Sequence, residues 1–388
     1  MTTVFVLIIM ASMVALVLAF INGASLMAEK SIARGLIHLG SRSVLSEYNC
    51  ILKDRYNIFA TDLDYREMES RLRFYLECNL APKGLVPMEL ENVDIDLNEY
   101  SLACVDRLEK QILDAALFPP VFRNHNFGST YNRDWAQSAL TNSLPSQSVG
   151  TFFFNLDVLK ATSLDFNGVI KSGSSKALVN QYIIKYFNYN GRNEGFPQGY
   201  FNNEIEYILY GKASDERNLQ RYQIDFIALR TLLNLAHINS DPRKMEILLI
   251  AAMAITPGPE AKITQAILAG AWAGAEAYND WLLITNDKGV PLIKGLDDWA
   301  LSFKEIGNIG SHGKYIDPCG DSNYKYQEYL QLFLIVQKRE IQLLRVMDIM
   351  QINMAGLQSP CFLIKEHYVG FDLSTIINGK TYHAEETY

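Results

Sequence analysis

The sequence predicts an α+β protein, with an N-terminal transmembrane helix followed by a mostly helical globular domain. Three observations predict it. No charged side chain occurs from Thr2 to Ala28, and Val4–Ile21 is almost wholly apolar. Beyond residue 61, apolar residues recur mostly at helical spacing. Two short stretches, Glu89–Leu97 and Tyr368–Ile377, read instead as strands.

A spanning helix needs about 20 mainly apolar residues. Val4–Ile21 supplies 18, and Asn22–Ala28 extends the run to Glu29. Residues 2–28 are therefore expected to sit in the lipid bilayer. A cleaved secretory signal would have a basic start, a shorter apolar core and small residues at its cleavage site. Ala24-Ser25 matches that pattern only loosely. A buried helix of a soluble protein is the third option, and the length favours a retained anchor. Lys30 and Arg34 follow the span, and no charged side chain precedes it. Taken alone, the positive-inside rule puts the large domain in the cytoplasm.

Helical character continues past the membrane. Ile37, Val44, Tyr48, Ile51 and Leu52 form an amphipathic stripe, and Ser31–Arg55 has no proline. Residues 29–60 are expected to be an amphipathic helical stalk, or the first core helix of the domain. A continuous helix over Thr2–Arg55 would measure about 80 Å. Leu63–Asn79 and Leu102–Leu117 read as helices. The strand pattern of Glu89–Leu97 slips at Asn92. Residues 122–150 are rich in Asn, Ser, Thr and Gln and read as a loop or insertion edge. Within the globular region, 61–388, an internal boundary near 122–150 is expected.

The second half is more plainly helical. Ser174–Phe187, Leu219–Ile238, Lys244–Ile255 and Glu260–Ile284 follow in turn. Asp241-Pro242 has the form of an N-cap with proline at the first helical position. Gly270 and Gly274 form Gly-x-x-x-Gly, but Lys262 and Glu276 bracket only 13 uncharged residues. Soluble helix packing explains them better than a second span. Tyr324–Met354 reads as one long helix, and its charges argue against a membrane span.

The chain has 388 residues, of which 49% are hydrophobic and 20% charged, with a net charge of −8. That composition supports a folded core and argues against nonspecific nucleic-acid binding. Cys50, Cys78, Cys104, Cys319 and Cys361 fit neither a redox Cys-x-x-Cys pair nor a zinc knuckle. Up to two disulfides are open to them, with buried free thiols slightly preferred.

No catalytic constellation stands out, and no cofactor or metal is expected. Gly307, Gly310 and Gly313 lack the pattern of a dinucleotide or phosphate loop. His312, Asp317 and Cys319 are close in sequence but short of a zinc ligand set. Glu204 and Glu206 are paired carboxylates of the kind a glycosidase uses, yet Ile205, Ile208 and Leu209 beside them read as structural. The histidines His38, His125, His237, His312, His367 and His383 are scattered. Phe152-Phe-Phe154 reads as core. Neither His-Glu-x-x-His nor Gly-x-Ser-x-Gly occurs.

Several stretches together resemble the DUF5702 family of Gram-positive bacterial proteins. They are Thr3-Val-Phe-Val6 with its apolar run, Ser46-Glu-Tyr-Asn49, Tyr56-Asn-Ile-Phe59, Asn203–Gly211, Gly289–Lys294 and Tyr326–Leu330. Many members carry a short basic segment before the equivalent of Thr3; this chain has none. The resemblance implies an anchored envelope protein with its large domain outside the cytoplasm, found beside tight-adherence pilus or secretion-like machinery. The expected role is structural or in assembly, with envelope or pilus-like protein partners. A membrane-anchored hydrolase of an envelope polymer and an extracytoplasmic protein-recognition module are the alternatives.

Overall fold

The computed structural model describes residues 2–80, 88–118, 131–141, 144–148, 174–192, 197–295, 297–308, 315–318 and 324–388, with a few single residues between. The chain divides into two compact units. The first comprises Met1–Lys53, Ile58–Leu108 and Leu363–Tyr388; the second comprises Asp54–Asn57 and Glu109–Phe362.

Unit 1 is threaded by α1 (Thr2–Leu45), one 44-residue helix. It is long and apolar enough to cross a membrane. Among the described residues, nothing packs over its apolar start: Phe5 is 66% exposed, Phe20 71% and Met27 78%. From Ala33 the same helix enters a core. Ala33, Ile37, Val44 and Leu45 are buried against α3 (Tyr65–Asn79) and a small sheet. Asp64 caps α3 by accepting from the Glu67 amide at 2.8 Å, and Met68, Leu72 and Leu76 recur every fourth residue on its buried face.

The sheet is antiparallel, in the order β1 (Leu90–Asp96), β2 (Gly370–Ile377), β3 (Lys380–Thr387). Val93 pairs with Thr375 and Ile95 with Leu373. The pattern slip at Asn92 is an irregularity in the ladder, because the register shifts between Leu90 and Asn92. Asn378 and Gly379 join β2 to β3 with φ of 50° and 69°. Two consecutive positive φ values make the tight hairpin turn whose twist suits the strands, and Asn-Gly tolerates them best. Phe371, Leu373, Ile377 and Tyr382 close the core from the sheet side.

The helix does not continue to Arg55. It ends at Leu45, and α2 (Cys50–Tyr56) begins after a break. Asn49 explains the break. Its side chain accepts from the Leu52 amide at 3.0 Å, while its own amide donates to the Ala60 carbonyl at 2.9 Å. A local side-chain cap thus competes with helix propagation. The stripe at Ile37 and Val44 faces this unit's own core, so the second half of α1 is a core helix.

Next in the chain is α4 (Val105–Leu117), with which the chain passes to its second unit. Unit 2 is helical among the described residues. It holds α5 (Arg133–Thr141), a 3₁₀ turn at Pro145–Ser148, α6 (Ser175–Tyr186), α7 (Glu204–Tyr210) and α8 (Asp215–Ser240). α9 (Pro242–Ile255), α10 (Ala261–Thr285), α11 (Tyr326–Val336) and α12 (Arg339–Leu357) complete it. α8 packs on α10, α10 on α9, and α12 on α5 and α7. Asp241 caps α9 as the Asp-Pro pair predicts, accepting from the amides of Arg243 and Lys244.

Three further expectations are corrected. The stretch 122–150 contains a helix, α5, whose Ala136 and Ala139 are buried; its other parts lie mostly outside the described residues. Tyr324–Met354 is two helices, broken at Gln337 and Lys338. Gln337 is fully buried, and its side chain donates to the Ile208 carbonyl at 2.8 Å. That tertiary bond holds Gln337 at ψ 147°, outside the helix. Cys50, Cys78, Cys104 and Cys361 are free thiols on the surface, not buried ones; Cys319 lies outside the described residues.

The C-terminal hairpin should be indispensable to unit 1. Phe371, Leu373, Ile377 and Tyr382 are each worth about 1.5–3 kcal/mol of burial, together comparable with a whole domain's stability. Removing residues 363–388 is expected to expose α3 and β1 to limited proteolysis while α10 and α12 stay protected. Equal protection of α3 in the truncated chain would contradict this.

Candidate functional site

Helix α7 has only seven residues, Glu-Ile-Glu-Tyr-Ile-Leu-Tyr, and all seven are buried. Four of them carry polar atoms, so the surroundings must supply partners. Outside the helix start, Asp215 accepts from the amides of Asn202 and Asn203, both at 3.0 Å. Glu204 accepts from the Asn188 amide at 2.8 Å and from Asn353 Nδ2 at 2.5 Å. The Arg55 guanidinium lies 3.7 Å from it. Glu206 accepts from the Asn190 amide at 3.1 Å and the Tyr326 hydroxyl at 2.5 Å. Tyr207 donates to Asp348 at 2.9 Å, and Asp348 also accepts from the Ser146 amide at 3.0 Å. At the helix end, Arg345 Nη1 donates to the Ile208 carbonyl at 3.0 Å, beside Gln337.

Burial sets the protonation of these acids. It raises Glu204 above the ordinary carboxylate range, against the pull of Arg55. It pushes Glu206 up to about 7, only partly offset by the Tyr326 hydroxyl and the Asn190 amide. Burial raises Asp348 too. These carboxyls lose more from leaving water than their hydrogen bonds return.

A second buried cluster lies on α8 and α10. Asp280 Oδ2 receives Arg230 Nε at 2.9 Å, and Asp280 Oδ1 receives Lys294 Nζ at 2.6 Å. Lys294 also pairs with Glu276. Glu276 in turn accepts from the amides of Ala300 and Leu301, at 3.0 and 2.9 Å. Burial opposes ionisation of Asp280, but Arg230 and Lys294 outweigh it and hold its carboxyl below the usual range. Two cations meet two carboxylates, so the cluster is electrically balanced. Arg230 also donates to the carbonyls of Pro291 and Leu292, each at 2.9 Å.

The two clusters are joined through α11. Tyr326 reaches Glu206 with its hydroxyl. One turn on, the Tyr329 hydroxyl lies 3.2 Å from Arg230 and donates to the Val290 carbonyl at 3.1 Å. The stretches Asn203–Gly211, Gly289–Lys294 and Tyr326–Leu330 therefore converge on one buried network. Gly289 is fixed by a close approach: a Cβ there would sit 1.7 Å from the Ser322 carbonyl oxygen. Only glycine admits that contact.

The other candidates are not brought together. Asp317 pairs with Lys288 on the surface at 3.7 Å; His312 and Cys319 lie outside the described residues, as do Gly310, Gly313, His125 and Phe152-Phe-Phe154. Gly307 lies in a 3₁₀ turn, Phe303–Asn308. His237 stacks on Trp299 at 5.1 Å. His367 is buried, with Nδ1 3.0 Å from the Leu363 carbonyl. Among the described residues, no three of His, Cys, Asp and Glu are grouped to hold a metal ion. A cavity of about 280 Å³ beside Lys294 is lined by Asn234, His237 and Ser240, with no carboxylate among its described lining residues. One of about 420 Å³ near Tyr326 has Asp287 and Glu328 in its lining. Both are engaged by Lys325, Asp287 by its Nζ at 3.1 Å and Glu328 by its amide at 2.9 Å.

What sequence reading missed is Arg55, Asn353, Asp280 and Lys294, the partners that make the acids bearable inside. Glu204 and Glu206 were visible as a pair, but their partners come from remote segments; Asn353 is 149 residues from Glu204.

Two measurements test the network. Lys294→Met leaves Glu276 and Asp280 short of a cation and should cost about 3–5 kcal/mol in urea unfolding of the full chain in neutral detergent. Adding Glu276→Gln should recover part of that loss; full additivity of the two substitutions would deny the coupling. Glu206 holds its proton up to about 7 when folded against an ordinary 4.5. The folded state then binds more protons at this group between those values, so the contribution of Glu206 to stability is full at and below about pH 4.5. It should fall by roughly 3 kcal/mol as pH rises to about 7. Glu206→Gln should flatten that slope, and an unchanged slope would show that Glu206 does not carry it.

No curated protein and no solved structure matches the chain. One family model does, over residues 137–379, a range that holds α7, α8, α10, α11 and both buried clusters apart from Arg55. On that match the chain belongs to DUF5702, a family of unknown function.

Proposed function

We propose that the chain is a single-pass, membrane-tethered structural or assembly component of an envelope pilus-like or secretion apparatus. The observation that carries this reading is the double use of α1. Its first half exposes large apolar side chains from Phe5 to Met27, and its second half is built into the core of unit 1. A pilin-like subunit uses one helix in the same two ways. Apolar side chains exposed along so long a run need lipid or neighbouring helices around them.

A recognition role for unit 2 has its own support. Ile247, Ile250 and Met253 on α9 are exposed, and so are Ile263 and Ile267 on the adjoining α10. These are two apolar stripes at helical spacing, on helices that pack together. They suit a protein partner. The hydrolase alternative gains no such support, since Glu204 and Glu206 are enclosed and bonded within the fold.

The family resemblance favours a large domain outside the cytoplasm. Protease added to sealed cells is expected to digest it, while α1 stays in the membrane pellet through an alkaline wash. Native membrane extracts should yield it in a complex with other envelope proteins. Recovery as a soluble monomer protected inside the cell would overturn the reading. Ile250→Asp with Ile267→Asp should lower partner recovery at least fivefold and change stability by no more than about 0.5 kcal/mol. Undiminished recovery would remove the stripes from the interface.

A further inference from the structure

The groove between α1 and β3 in unit 1 has a volume of about 800 Å³. Leu26, Lys30, Arg34 and His38 line one wall, and Lys380 and His383 stand in the other. The four α1 residues recur every fourth position, so they form one stripe along one helix face. The stripe runs in order from an apolar residue inside the uncharged run to cationic ones beyond it.

The charges in this groove are unequal. Lys380 is answered by Glu29 at 2.7 Å, and His38 by Glu386 at 2.6 Å. Glu386 is the acid among the groove's described lining residues, and Glu29 is buried on α1 beneath Lys380. Among the described residues, Lys30 and Arg34 form no hydrogen bond or ion pair. Two exposed cations thus stand side by side in a concave site, with no described acid bonded to either. Such a site takes an anion with several acceptor oxygens.

Position selects the source of that anion. Ala28 ends the uncharged run. The Lys30 and Arg34 backbones lie about 3 and 9 Å farther along the helix axis, and the long Arg34 side chain leans back toward the helix N-terminus, to headgroup depth. The headgroup layer beyond the hydrocarbon is about 5–8 Å deep on each side. We propose that this groove binds the headgroup phosphate of an anionic phospholipid, with Lys30 and Arg34 on the phosphate and Leu26 against the start of an acyl chain. The inference rests on α1 spanning the bilayer.

The test uses the full chain purified in neutral detergent and put into vesicles of phosphatidylcholine alone or with phosphatidylglycerol. Native mass spectrometry then reads which lipid stays bound. Phosphatidylglycerol should be retained in preference to phosphatidylcholine. Lys30→Gln with Arg34→Gln should reduce that retention about 30-fold, roughly fivefold for each charge removed. Lys262→Gln, an exposed change in unit 2, should leave it unaltered. Equal retention of the two lipids, or no effect of the double substitution, overturns the site while leaving the span intact. Displacement by inorganic phosphate at concentrations similar to the lipid's overturns the lipid as occupant. Failure to enter either vesicle overturns the span, and the site with it. Circular dichroism of the double variant, expected to match the parent, separates lost binding from lost fold.

Discussion

Unit 2 depends on satisfying carboxylates that its fold has taken out of water. A lone buried carboxylate is far too costly to keep charged, so each one here is protonated, paired or bonded to amides. Glu206 takes the first course, Asp280 the second, and Glu276 combines pairing with two amides. The choice shapes the backbone nearby. Loops at Asn188–Asn190, Pro291–Lys294 and Ala300–Leu301 are held by side chains within hydrogen-bonding distance of their main-chain groups. The buried acids, with Arg230, thus organise segments that carry no regular structure of their own. They serve the fold in the way that a bound ion serves a loop-rich domain.

Much of the fold was legible because its signals are local. Asp241-Pro242 marks a helix start by capping chemistry, and that cap is present; Asp64 and Ser174 cap their helices in the same local way. The slip at Asn92 in an otherwise alternating strand corresponds to a shift in register. The β2–β3 hairpin was equally local, since Asn378-Gly379 is a strong turn signal, but the short strands around it were read only in part. Breaks at Ser46–Asn49 and Gln337–Lys338 were harder to see. Neither break contains glycine or proline, and what ends each helix includes a bond to a carbonyl outside it, Ala60 in one case and Ile208 in the other. The candidate site was legible in its acids and hidden in its partners. Nothing in the spacing around Glu204 points to Arg55 or Asn353.

The functional reading joins two parts of different legibility. The proposed tethering rests on α1, a helix long and apolar enough to span a membrane, whose uncharged run is plain in the sequence. Assembly rests on the family resemblance and on surfaces that only the structure displays, chiefly the isoleucines of α9 and α10. Apolar groups of this size are normally inside a domain. Their exposure on helices that otherwise pack well separates them from the buried network, which has no open acid to offer a substrate.

The unbroken course of α1 has a mechanical consequence. A single helix carries the chain from its lipid-suited half into the β-sheet unit, with no loop between to act as a swivel. With α1 spanning the bilayer as proposed, the azimuth of that sheet is geared to the rotation of the helix there. One residue added near Ala28 would turn unit 1 by about 100° about the helix axis and lift it by about 1.5 Å. In an array of such chains, the length of the uncharged run would set which face each sheet turns toward its neighbour.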